Sequence, residues 1–297
     1  MHTYILYNPH SGNGNALEEA QIVEVYQLGE TIIQDITEID DYKTFFSLLD
    51  DDDKIILCGG DGTLNHFCND IAGLDIPCEV LYYPIGTGND FAHDIGERTG
   101  ANPFPINQYL TDLPTVSVNG EQSLFINGIG FGIDGYCCEI GDKKKEEQKA
   151  KGKRKPINYT AIAIGGLLFH FKPRNATVTV DGVSHRFEKV WIAATMKGRY
   201  YGGGMMVAPD QNRLNEDKKL TLVILHGSGT LKTLVVFPSI FKGEHIKRTE
   251  MTAVLTGHDI SVSFDEPCPL QIDGETRLNV KEYRATSGVQ VKENIIS

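Results

Sequence analysis

Leu57-Cys58-Gly59-Gly60-Asp61-Gly62-Thr63-Leu64-Asn65 is the stretch that decides how this chain is read. An acidic turn ending at Asp53 feeds a short apolar strand, Ile55-Ile56-Leu57. Glycines 59, 60 and 62 follow, and then a helical pattern through Leu64, Phe67, Cys68 and Ile71. Strand, glycine turn and helix start together make an anion site. Glycines let the backbone approach oxygen atoms, and the unpaired N–H groups of the helix start point at negative charge. Asp61 repels a phosphate, so its use there is to orient a Mg²⁺ ion or a hydroxyl beside one. On its own, Gly-Gly-Asp-Gly is equally a tight turn with an acidic helix cap, and the rest of the chain must choose.

Outward from this turn, strands alternate with helices. The pattern predicts strands over 3–7, 31–36, 54–57 and 79–82, with helices over 16–28 and 42–49. That alternation implies an α/β domain over 1–112 with a doubly wound parallel sheet. Ligands of such sheets bind beyond the carboxyl ends of the strands, where strand order switches. Three polar, glycine-bearing turns fall there: 8–14, 59–63 and 84–90. Each alone is built of ordinary turn formers. Together, at one end of one sheet, they predict a single concave, donor-rich site.

Beyond residue 112 the pattern changes. Asn119-Gly120 and Asp181-Gly182 sit between β-rich runs, a signal for type I′ hairpins. Further short strands at 220–225, 251–255, 259–264 and 270–272 predict a mostly antiparallel β-sandwich over 113–297. Helical stretches at 133–149, 157–171 and 230–241 are inserted in it. A ligand cleft between the two domains is expected, with the last residues returning to the first domain.

Composition excludes several classes. The chain has 297 residues and a net charge of −12, which argues against a general nucleic-acid binder. Tyr4-Ile5-Leu6 is too short an apolar core for a signal peptide. The best apolar run, 161–169, is about half of the roughly 20 residues a membrane span needs. Six cysteines show no Cys-x-x-Cys pair. A reduced cytoplasmic protein, at most peripheral at a membrane, is expected. Against the acidic background, 143–155 carries eight basic and two acidic side chains. That run is either a solvated helix end or a contact for anionic lipid head groups, worth roughly 1 kcal/mol per basic residue at such a surface.

Asp273-Gly274-Glu275 follows the apolar run Leu270-Gln271-Ile272 and is read as a hairpin turn or as a pair of working carboxylates. Two residues apart on a strand end, the two would face one side, so either suits the role of a base.

Taken in order, the motifs resemble the diacylglycerol kinase catalytic-domain family, which takes in bacterial lipid kinases and the sphingosine and ceramide kinases. The matching residues are Asn8-Pro9-His10-Ser11-Gly12, the 59–65 stretch, Pro84-Ile85-Gly86-Thr87-Gly88-Asn89-Asp90-Phe91-Ala92, and Asn127-Gly128-Ile129-Gly130-Phe131-Gly132. Tyr201-Gly202-Gly203-Gly204-Met205, Ala208-Pro209 and Asp273-Gly274-Glu275 complete the set, so the resemblance covers nearly the whole chain. It implies that Asn8, Ser11, Gly12 and the loop Gly59, Gly60, Asp61, Gly62, Thr63, Leu64 and Asn65 hold ATP phosphates. Thr37 would stand near the nucleotide, with Gly86, Thr87 and Asn89 lining its cleft. Asp61 and Asp90 would place the catalytic Mg²⁺. Asp273 is the first choice of general base and Glu275 the second. Bacterial relatives hold a second, structural Mg²⁺ in an acidic-glycine turn. Here that turn is Asn215-Glu216-Asp217-Lys218-Lys219-Leu220, where Asp217 matches the acidic position and Leu214 and Lys219 offer carbonyls. Lys218 stands where glycine is usual, and His66 where the family commonly has glutamate. Some relatives carry an aspartate before the 115–128 hairpin that joins a water network to Mg²⁺, and Asp112 is the nearest here.

The implied activity is ATP- and Mg²⁺-dependent transfer of a γ-phosphate to a lipid hydroxyl, with diacylglycerol as the first candidate. The substrate would be met at a membrane surface, no nucleic acid is implied, and exposed sheet edges leave room for a homodimer. A NAD kinase, which shares Gly-Gly-Asp-Gly-Thr, is the nearest rival. A catalytically silent, nucleotide-binding regulatory protein is the rival of another class, suggested by His66 and Lys218.

Overall fold

Ile5, Leu6, Ile55, Ile56 and Leu57 are all but fully buried, and their burial sets the architecture of the first half. The computed structural model describes residues 1–288 apart from 12–13, 87, 99, 101, 152–156 and 158. It divides into two units, Met1–Thr111 with Tyr200–Gly204, and Asp112–Arg199 with Met205–Ser297. The segment that rejoins the first unit thus comes from mid-chain. The last residues, expected there from sequence, lie outside the described residues.

In the first unit the order is β1 (His2–Tyr7), α1 (Ala16–Val25), β2 (Glu30–Asp35), α2 (Tyr42–Phe46), β3 (Lys54–Gly59), α3 (Asp61–Asp70), β4 (Glu79–Pro84), α4 (Asp90–Asp94), β5 (Phe104–Pro105) and α5 (Asn107–Leu110). The sheet order is β2-β1-β3-β4-β5. The first four strands are parallel, and β5 closes the edge antiparallel to β4. Alternate side chains of β1 leave opposite faces of the sheet, as the strand period requires. Ile5 packs with Ala20 and Val23 of α1 on one face, while Tyr4 meets Phe45 of α2 edge-on on the other. Helices on both faces explain why β3 reads as a continuous apolar run. The chain leaves β1 for β2 and then crosses to β3 on the far side, so the switch point lies between β1 and β3.

The second unit contains β6 (Thr115–Val118), β7 (Glu121–Leu124), β8 (Gly128–Gly132), α6 (Ile133–Ala150), α7 (Tyr159–Gly165), β9 (Arg174–Val180), β10 (Val183–Val190) and β11 (Ile192–Met196). The two-residue strands β12 (Tyr200–Tyr201) and β13 (Met205–Met206) come next along the chain. Then follow β14 (Leu220–Leu225), α8 (Thr230–Val236), β15 (Thr252–Gly257), β16 (Asp259–Ile272) and β17 (Glu275–Thr286). Ten strands form one antiparallel network in the order β15-β14-β11-β8-β16-β17-β6-β7, with β9 and β10 branching from β16. The 14-residue β16 makes that branch. Its first half pairs with β9 and its last three residues with β8, with register shifts between Ser263 and Leu270. Bulges of this kind turn a sheet over its own core. That core holds Phe125, Phe131, Phe264 and Tyr283. Both hairpin signals are realised: Asn119 and Asp181 take φ of 53° and 47°, each followed by a glycine with φ above 80°. Among the described residues, no helix is long and apolar enough to cross a membrane.

Candidate active site

The three polar turns of the first unit end neighbouring parallel strands, and their side chains meet. Asn8 Nδ2 donates to Thr63 Oγ1 at 3.0 Å, and the Ser11 hydroxyl lies 2.8 Å from the same oxygen. Thr63 is buried in the first turn of α3, so the loops after β1 and β3 are tied together at the switch point. Gly59 belongs to the same knot, because a Cβ on it would sit 2.4 Å from the Thr63 side chain. Tyr82, fully buried, donates its hydroxyl to the Gly59 carbonyl at 3.0 Å, and burial pushes its phenol well above the usual range.

The third turn comes as close as backbone allows. Ile85 N–H donates to the Gly59 carbonyl, and a Cβ on Gly86 would lie 2.6 Å from the Gly60 Cα. The Asn89 side chain, 2.7 Å from the same point, could swing away, but the Gly60 backbone could not. Gly86→Ala is therefore expected to overpack this contact, costing about 1–3 kcal/mol. Thermal melting should show the loss. Gly62→Ala is the control: a Cβ there meets nothing within 4 Å inside α3, so its melting temperature should not fall.

Asp61 and Asp90 organise the rest of this end. Asp61 Oδ2 and Oδ1 accept the N–H groups of Asp90 and Phe91, both at 2.9 Å, and so cap α4. Asp90 in turn accepts Gly203 N–H at 2.8 Å and Gly204 N–H at 2.6 Å, which holds the returning segment. Both glycines have positive φ, 80° and 102°, where a side chain would be strained. A Cβ on Gly88 would lie 3.5 Å from Asp61 Oδ2 and 3.7 Å from Asp90 Oδ2, so both carboxylates reach the same point of the turn. Among the described residues no three His, Cys, Asp or Glu side chains converge on one point. Two carboxylates are nonetheless the donor set a Mg²⁺ ion uses when phosphates and water supply its other ligands. Asn89, with φ of 51°, donates to the Gly86 carbonyl at 2.7 Å and shapes the turn. Gly12 and Thr87 lie outside the described residues.

In the second unit, Asp273 and Gly274 are the hairpin turn between β16 and β17, with φ of 45° and 90°. This corrects the expectation that Asp273 and Glu275 share one side of a strand end. The chain reverses between them, Glu275 opens β17 opposite Ile272, and the period-two rule does not apply across a turn. Their surroundings differ sharply. Asp273 is buried, with Oδ1 accepting Asn127 and Gly128 N–H at 2.8 Å each and Oδ2 accepting Ile126 N–H at 2.6 Å. Glu275 keeps 41% of its side chain exposed, with the Arg277 guanidinium 4.0 Å away.

Thr37 sits on a short 3-10 turn after β2, where both its N–H and its hydroxyl go to Asp35 Oδ1. His66 points outward from α3 within electrostatic reach of Asp70, one turn on. Leu64 and Asn65 are buried in α3, and Asn69 Nδ2 donates to the Asn65 carbonyl. Leu214, Asp217 and Lys219 line an open groove with Asn212, Asn215, Glu216 and Thr256.

Sequence reasoning missed two buried cations beside the Asp273 turn. Arg213 donates to the Ile126 carbonyl and, at 2.8 Å, to Asn127 Oδ1. Lys197 is 7% exposed, and burial together with the Arg213 charge brings its ammonium down to about 8. Neither position carries a motif or periodicity that marks it.

Comparison with known proteins agrees with this geometry. The diacylglycerol kinase catalytic domain matches residues 2–111, and the YegS C-terminal NAD kinase beta sandwich-like domain matches 129–285, more than half of the chain. A diacylglycerol kinase of Mycobacterium tuberculosis is 25% identical over 283 residues, covering 89% of each chain. One from Bacillus subtilis is 27% identical over 283 residues, covering 91% of this chain and 88% of its own. The crystal structure of a diacylglycerol kinase from Bacillus anthracis superposes with a TM-score of 0.57 at 18% identity, covering 97% of this chain and 94% of that one, which is a likeness of fold. Matched in order along both of its halves, the chain belongs to the diacylglycerol kinase catalytic-domain family of lipid kinases.

Proposed function

We propose that this chain transfers the γ-phosphate of ATP, in the presence of Mg²⁺, to the hydroxyl of diacylglycerol, giving phosphatidic acid. The observation that carries the reading is the knot of Asn8, Ser11 and Thr63 at the switch point, a donor-rich turn cluster suited to phosphates. The diacylglycerol kinases of M. tuberculosis and B. subtilis matched over most of their length support the acceptor.

In this reading Asn8, Ser11 and the amides of 59–63 bind the nucleotide phosphates. Asp61 and Asp90 would hold Mg²⁺, which when bound would neutralise charge developing on the transferring phosphate. Glu275 takes the hydroxyl proton as the acceptor oxygen bonds to the γ-phosphorus and the bond to the β-bridging oxygen breaks. Asp273 then acts as a positioning residue that fixes the turn.

The lipid is met at a membrane surface. On the second unit Ile164, Leu168 and Phe169 are exposed, the last by 77%, and α8 packs against the 166–170 segment while exposing Leu231 and Val235. Within the basic run Lys143, Lys145 and Lys151 pair with Glu139, Asp142 and Glu147, while Lys144 is exposed. Residues 152–155 lie outside the described residues.

ADP release in mixed micelles tests the reading. It should require both diacylglycerol and Mg²⁺ and stop on adding EDTA. ADP formed at the same rate without lipid would overturn it.

A further inference from the structure

The family resemblance puts a structural Mg²⁺ in the loop that carries Leu214, Asp217 and Lys219, and the residues present do not fit one. The Lys219 carbonyl already accepts Gln211 Nε2 at 3.0 Å and Asn215 Nδ2 at 3.1 Å, which uses both of its lone pairs. The Asp217 carboxylate has the Lys219 ammonium 3.3 Å from Oδ2, and the Asp217 carbonyl lies 2.7 Å from His258 Nε2. Lys218 holds the left-handed conformation, φ 55°, that a glycine would take without cost. Its ammonium reaches Asp112 Oδ2 at 2.7 Å, tying the start of the unit to the loop.

We infer that lysine side chains close this loop in place of a divalent ion: Lys219 answers the carboxylate of Asp217, and Lys218 that of Asp112. Charge around the loop favours this arrangement. Lys197, Arg213, Lys218 and Lys219 stand against Asp112, Asp217 and the groove residue Glu216. A divalent cation entering would displace one ammonium and be repelled by the others, with little shielding near the two buried ones. The same reasoning gives Lys218 a purpose: an ammonium built into the chain replaces an ion that must be captured from solution. It also separates the two metal roles, since the nucleotide-linked ion of Asp61 and Asp90 belongs to the other unit and is untouched.

Manganese binding to the full chain without nucleotide or lipid, followed by electron paramagnetic resonance, tests this independently of catalysis. Wild type and Asp217→Asn should bind the same number of ions, and EDTA should leave the melting temperature of wild type unchanged. The double variant Lys218→Gly, Lys219→Ala should gain one ion, lost again when Asp217→Asn is added. If the double variant does not fold, Lys219→Met carries the same comparison. An ion on wild type that Asp217→Asn removes would overturn the inference. So would a folded lysine variant that gains none, since the lysines would then not be what keeps the ion out.

Discussion

Replacing Glu275 with glutamine should lower kcat for lipid phosphorylation by roughly 10²–10⁴-fold, the usual worth of a positioned general base, with melting temperature and nucleotide affinity unchanged. The two carboxylates of the Asp273-Gly274-Glu275 turn are differently engaged. A lipid hydroxyl is a weak nucleophile until its proton is accepted, so the acceptor needs a lone pair and room for substrate. Glu275 is partly exposed at the start of β17, with the Arg277 guanidinium at 4.0 Å, the outer limit of an ion pair. Steady-state kinetics with a melting curve on the same preparation checks both halves of the expectation. Full activity in Glu275→Gln would remove Glu275 from the mechanism.

Asp273→Ala should instead cost fold stability, lowering the melting temperature by about 10 °C or more. Three backbone N–H groups, of Ile126, Asn127 and Gly128, lose their acceptor together and stay buried. Each unsatisfied group costs about 1–3 kcal/mol, and a unit of this size shifts about 2–4 °C per kcal/mol. The Asp273 N–H also donates to the Gly128 carbonyl at 3.0 Å, so the turn and β8 are tied in both directions. Asp273→Asn keeps an acceptor oxygen and should fall between wild type and alanine. A stable, inactive Asp273→Asn beside an active Glu275→Gln would return the role of base to Asp273.

Much of this was legible because it is local. Gly59-Gly60-Asp61 announces a turn between strand and helix from nine consecutive residues, and Asn119-Gly120 and Asp181-Gly182 fix their hairpins by backbone preference alone. The parallel sheet followed from alternation, and the meeting of the 8–14, 59–63 and 84–90 turns from the rule for carboxyl ends of strands. What stayed hidden depends on partners far along the chain. Asp273 finds its donors 145 to 147 residues earlier, and nothing near it says that its oxygens are taken. Asp90 looked like a metal ligand in a turn, yet it also anchors Gly203 and Gly204, 113 and 114 residues on. Arg213 and Lys197 sit in connecting segments without periodicity, so only the folded chain reveals that they are buried. Lys218 was visible as a departure from glycine, but its partner Asp112 lies 106 residues away.

Phosphoryl transfer to a lipid hydroxyl can be followed as labelled γ-phosphate passing from ATP into a panel of lipids in mixed micelles, with NAD as a separate acceptor. Label is expected in phosphatidic acid when diacylglycerol is present, and none in NAD. Label in NAD alone, or bound nucleotide with no label in any lipid, would contradict it.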